Sequence, residues 1–154
     1  MSVPHVSRIT HHSDEAYVGA LAIALTIDHA VHVPWRDAGE LIAHLVAELP
    51  DTRVRDRLRL SQGQPIEEFA AHGTSGYVVD AVPLAIHAYT HAAETNDFES
   101  MVRELIEVGG DCDSIASMAA QCWGALRGDA MLSAPWASRL PEHVHATVER
   151  FARL

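Results

Sequence analysis

The 154-residue sequence predicts an all-α fold: one domain over residues 1–154, an orthogonal helical bundle of about seven or eight helices. Three observations predict it. Apolar residues recur at intervals of three and four in one segment after another, no stretch shows a run of period-two alternation, and there is no repeat, low-complexity tract or linker long enough to split the chain.

Each element has its own signals. Ser13, followed by Asp14 and Glu15, starts the first helix, because a side-chain acceptor and negative charge suit the unpaired amides there. That helix runs to about Val31, and Pro34 closes the loop behind it. Residues 36–49 carry Leu41, Ile42, Leu45, Val46 and Leu49 at helical spacing and end at Pro50. Residues 51–60 are basic on one side, with Val54 and Leu58 on the other, and read as a surface helix. Pro65 suits the first turn of a brief helix to about His72. Gly73 and Gly76 bracket a loop; a helix then starts at Val78 or Asp80 and runs to about Ala92, with Pro83 in its first turn or kinking it. Asn96 or Asp97 caps the next helix, whose Phe98, Met101, Val102, Leu105 and Ile106 form one stripe before Gly109 stops it. A helix rich in alanine and glycine follows as far as Gly128. A last helix, led by Pro141, carries Val144, Val148 and Phe151 on one side.

The totals narrow the functions. The chain is 48% hydrophobic and 21% charged, as globular proteins are. A net charge of -10 repels phosphates and anionic lipid, which excludes general nucleic-acid or membrane-surface binding. The longest apolar run, "YVGALAIALTIDHAV", is too short to span a bilayer and contains Asp28 and His29. Cys112 and Cys122 lie ten positions apart on one helix, roughly 15 Å at the helical rise, too far to pair. With no disulfide framework and no leader-like segment at Met1, a cytoplasmic location is expected.

The stretch that carries chemistry is "GGDCDSIA", residues 109–116. Two carboxylates at i and i+2 point about 200° apart inside a regular helix, so they share a ligand only at a helix mouth, where a Gly-Gly turn lets Asp111 swing back toward Asp113. Two readings stand side by side: one of the acids caps the helix, or Asp111, Asp113 and Ser114 offer hard oxygen ligands suited to Mg²⁺ or Mn²⁺. His87 and His91, at i and i+4, form a second metal-capable pair with no third ligand nearby in the pattern.

"GGDCDSIASMAAQCWGALRG", with "APWASRL" after it, resembles the C-terminal signature of the ADP-ribosylglycohydrolase family, an acid-x-acid-Thr/Ser element ahead of an Ala/Gly-rich helix. "RITHHSDEAYVGALAIAL" and "GTSGYVVDAVPLAIHAY" are similar to two further family segments, in the same order. The resemblance implies a two-metal Mg²⁺ or Mn²⁺ site that cleaves the bond between ADP-ribose and an acceptor. It implies that Asp111, Asp113 and Ser114 are metal ligands, with Ser114 where threonine is more usual. It implies that His11 lies near the bound ribose, and that Gly76, Tyr77 and Val78 line the nucleotide side of the cleft, where backbone amides of residues 73–76 meet the pyrophosphate and Tyr77 packs on adenine or ribose.

The family's N-terminal Thr-Asp-Asp element, which completes the metal site and supplies the catalytic base, has no counterpart here. The chain therefore resembles only the C-terminal half of the family domain, and no catalytic residue is assigned. Such a half should leave apolar surface open on residues 15–31 and 114–127, so a homo-oligomer, or a partner chain supplying the missing half, is expected. Two functions remain: a metal-dependent hydrolase of ADP-ribosyl N- or O-glycosidic linkages, needing that complement, or an inactive module that binds ADP-ribose or dimerises.

Overall fold

Helices start where a side chain takes over an orphan amide, and three do so with their own acceptor. In the computed structural model, which describes residues 6–7, 9–128 and 134–153, Ser13 Oγ accepts from the Ala16 amide at 3.1 Å and opens α1 (Asp14–His32). Asp37 Oδ1 accepts from the Glu40 amide at 2.8 Å and opens α2 (Ala38–Glu48). Next come α3 (Arg53–Leu60), α4 (Ile66–Ala70) and α5 (Val78–Thr95). Asp97 Oδ1 then accepts from the Ser100 amide at 2.9 Å and opens α6 (Phe98–Val108). The chain ends with α7 (Cys112–Arg127), α8 (Ala134–Ala137) and α9 (Glu142–Phe151). Among the described residues there is no strand. The expected all-α class is the observed one.

Several ends differ from the local reading. Glu15, expected to serve its own helix, reaches across to α3 and accepts from the Arg53 and Val54 amides at 3.0 and 3.1 Å. Thr52, the local N-cap, makes no side-chain bond there. Pro65 precedes α4 as its cap instead of entering its first turn, and α4 stops at Ala70, short of His72. Asn96 and Asp97 divide the work expected of one of them: Asn96 ends α5 in the left-handed region (φ 58), and Asp97 starts α6. The single turn α8 was not anticipated.

The core is arranged around α5, which is buried on every face from Ala81 to Thr90 and is therefore surrounded. Thirteen of its residues are buried, Pro83 among them. It packs against α1, α2, α3, α4, α6 and α7, with α1 and α7 also in contact. The expectation of a surface helix at 51–60 is corrected here. Val54 and Leu58 of α3 are fully buried against α5, and Arg57 is only 8% exposed, so one face of this basic helix is interior.

Ala119, Cys122 and Trp123 turn the Ala/Gly-rich α7 into the core, whereas Gly124 has no neighbour where a side chain would begin. Leu21, Ile23, Leu25 and Ile27 of α1 and Ala116, Met118 and Leu126 of α7 pack on the core while staying partly open. In α9 no residue is buried, and Val148 and Phe151 are exposed. Cys112 is half-buried, Cys122 is buried, and both are free thiols. No helix among the described residues is long and apolar enough to cross a membrane.

Candidate functional site

The site begins with a turn that only glycine allows. Gly109 and Gly110 both take positive φ, 72° and 80°, and reverse the chain between α6 and α7. This turn carries the Asp111 amide to within 2.8 Å of the Thr74 carbonyl, in the loop ahead of α5. A side chain at Gly110 would run into Thr74, and one at Gly76 would run into the Asp111 carboxylate. Two loops of the sequence, 73–77 and 109–111, are thereby held together at their backbones.

The acids sit on this junction. Asp111 precedes α7 with φ -83° and ψ 57°, and its side chain makes no capping bond to that helix. Its Oδ2 faces Gly76 instead. A hydrogen bond with the Asp111 carboxyl holds the Asp113 carboxylate below its usual range, with the backbone amides of Ser114 and Asp113 adding to the effect. Asp111 is half-buried, and Asp113 and Ser114 are exposed on the first turn of α7. Among the described residues, no three His, Cys, Asp or Glu side chains gather as a metal-holding group.

The remaining expected residues fall nearby but not all together. Gly76 joins the acids. Tyr77 is 47% exposed, and Arg53 lies 5.7 Å from the centre of its ring, so one face already has a cation over it. Val78 is the first residue of α5 and packs on Gly19 of α1. His11 is exposed, and its Nδ1 lies 2.8 Å from the Thr10 hydroxyl. His11 and Val78 share the wall of an apolar groove of about 600 Å³ between α1, α5 and α7, with Gly19, Ile23 and Met118. In this loop the Gly73 amide is committed to the Ala70 carbonyl at 2.9 Å and the Tyr77 amide to Ser75 Oγ at 3.2 Å. Arg8 of the first resembling segment lies outside the described residues.

A second group of residues holds the 72–77 loop, and sequence reasoning missed it. Arg57 Nη1 lies 2.5 Å from Asp80 Oδ1, and Nη2 donates to the Gly73 carbonyl at 2.7 Å. Ser75 Oγ donates to Asp80 Oδ2 at 2.6 Å and accepts from the Tyr77 amide at 3.2 Å. Burial pushes the Arg57 pKa down while Asp80 pulls it back. The one signal for this pair was an aspartate inside the apolar "YVVDAVPLAI".

His87 and His91 line a larger cavity, about 710 Å³, that includes none of the acids of the Gly-Gly turn. His87 is buried at 7% exposure, with its ring 4.8 Å from that of Phe69.

The ADP-ribosylglycohydrolase family model matches residues 3–154. No curated protein matches the chain.

Proposed function

We propose, from the premise that this chain belongs to the ADP-ribosylglycohydrolase family, that it forms one face of a metal-assisted site hydrolysing ADP-ribosyl N- or O-glycosidic linkages, with a second copy or a partner chain completing it. The observation that carries this reading is the position of Asp111. Its side chain makes no capping bond to its own helix and lies against Gly76, and it holds the neighbouring Asp113 carboxylate below its usual range, an arrangement that forgoes a helix cap.

The donor set suits the cation in kind. Two carboxylates and the Ser114 hydroxyl are hard oxygens of the type Mg²⁺ or Mn²⁺ takes, while the roughly six ligands of an octahedral site leave the rest to water, substrate or a partner. When bound, such an ion supplies positive charge to orient ribose hydroxyls and an attacking water. The chain's own residues contribute binding and placement. The loop from Thr74 to Tyr77 lies beside the acids and suits the nucleotide, with backbone amides serving a pyrophosphate in a protein of net charge -10. His11 suits the ribose from the edge of the groove. The general base belongs to the complementing half.

A module that binds ADP-ribose or dimerises without turnover is the second reading. It is favoured by the absence of a third acid at the pair among the described residues. Titration of Mn²⁺ into the chain, followed by electron paramagnetic resonance with and without ADP-ribose, separates the two. The hydrolase reading expects saturable Mn²⁺ binding that is lost in Asp111→Asn and Asp113→Asn, with sedimentation reporting the oligomer. ADP-ribose binding that ignores both metal and substitutions selects the module.

A further inference from the structure

We infer that Arg57 and Asp80 are positioning residues: their ion pair between α3 and α5 sets the 72–77 loop against Asp111 and so places the carboxylate on which the proposed site depends. The functional meaning rests on the hydrolase reading. The structural content stands on contacts alone.

The Arg57 side chain works as a fork. While Nη1 meets Asp80 at 2.5 Å, Nη2 takes the Gly73 carbonyl at 2.7 Å, and the His72 and Phe69 carbonyls lie at 3.5 Å from the two nitrogens. These carbonyls follow or end the short α4, where no further helical turn donates to those of His72 and Gly73, and a planar guanidinium reaches several of them at once as an ammonium does not. Asp80 continues the chain of contacts by accepting from Ser75 Oγ at 2.6 Å. Its carboxyl carbon and Oδ1 also lie 2.6 Å from where a side chain at Gly73 (φ 141°) would begin, so the loop is pressed onto the pair with no room for a side chain.

The loop is therefore pinned on both sides of Thr74, at Gly73 by Arg57 and at Ser75 by Asp80. Thr74 is the residue whose carbonyl receives the Asp111 amide at 2.8 Å, and Gly76, just beyond, faces the Asp111 carboxylate. An unbroken series of contacts thus runs from α3 to the acid turn. A buried ion pair adds little to stability compared with an apolar pair of the same volume, so its physical effect here is to select one loop position. Arg57 and Asp80 line a cavity of about 280 Å³ whose wall includes neither Asp111 nor Asp113, so they act on the acids through the loop.

The test is amide hydrogen exchange at residue resolution on the full chain, for Arg57→Lys and Ser75→Ala, with Arg59→Lys as control at a surface arginine 57% exposed. Ser75→Ala leaves the buried pair intact and so guards against loss of fold. The Asp111 amide is expected to exchange about tenfold faster in both variants while Ala119 and Trp123, inside α7, stay within about twofold, and Arg59→Lys is expected to change nothing. Unchanged Asp111 protection, or protection lost only in step with Ala119 and Trp123, overturns the inference. A parallel titration of ADP-ribose with Mn²⁺ is expected to show weaker binding by both variants. If the unsubstituted chain binds neither probe, the hydrolase reading falls while the exchange data still decide whether the pair places Asp111.

Discussion

Acidification offers a sharp test of the core, because His87 is buried without a charge to balance it. Burial first, and the charge of His91 second, lower its pKa from 6.5 to about 4, against a small opposing effect from a hydrogen bond to the Gln64 backbone. The folded state therefore keeps the ring neutral, whereas the unfolded chain takes up a proton below 6.5. His87 contributes stability that is fully present above pH 6.5 and is withdrawn as the pH falls toward about 4. At about 1.4 kcal/mol per unit of depression, the full window is worth up to about 3 kcal/mol, or roughly 6–12 °C in Tm for a chain of this size. The experiment is urea denaturation, followed by circular dichroism from pH 7.5 to 4.2, of the unsubstituted chain and His87→Gln. The variant starts less stable at pH 7.5, since it loses the ring contact with Phe69, but its stability falls less steeply below pH 6.5. Parallel stability curves for the two proteins over that range would refute the assignment of this pH dependence to His87.

Other substitutions probe the acid turn and the helix ends. Asp113→Asn, at an exposed position, should change stability by no more than about 0.5 kcal/mol while lowering Mn²⁺ affinity at least about tenfold, read by calorimetry. Gly76→Ala drives a methyl group into the Asp111 carboxylate and should weaken ADP-ribose and Mn²⁺ binding. Gly124→Ala, where nothing lies within 4 Å, should leave binding alone and stabilise α7 by about 0.5–1 kcal/mol in urea melts. Glu15→Ala removes both acceptors from the start of α3 and should cost about 1–2 kcal/mol by the same measurement.

What the sequence made legible was local. Ser13 and Asp97 act at the helix starts where they stand, and Gly109 and Gly128 stop their helices with positive φ, because a cap or a stop depends on a few neighbouring residues. The Gly-Gly turn ahead of α7 was legible for the same reason, since two glycines side by side supply the positive φ that both positions take. Arg57 and Asp80 were not legible. They are 23 positions apart on different helices, and the amphipathic pattern of α3 assigned every arginine to solvent. Glu15 misled in a related way: its place in the first turn of α1 satisfied a local rule, while its oxygens went to the amides of α3.

The two thiols of α7 have unequal fates. Cys122 is wholly enclosed, and burial pushes its thiol up to about 12, so alkylating reagents meet almost no thiolate there. Cys112 is partly open and stands between Asp111 and Asp113. A maleimide dye or nitroxide added to the natural sequence therefore marks a single place, the residue that separates the two acids along the chain, without any engineered attachment point.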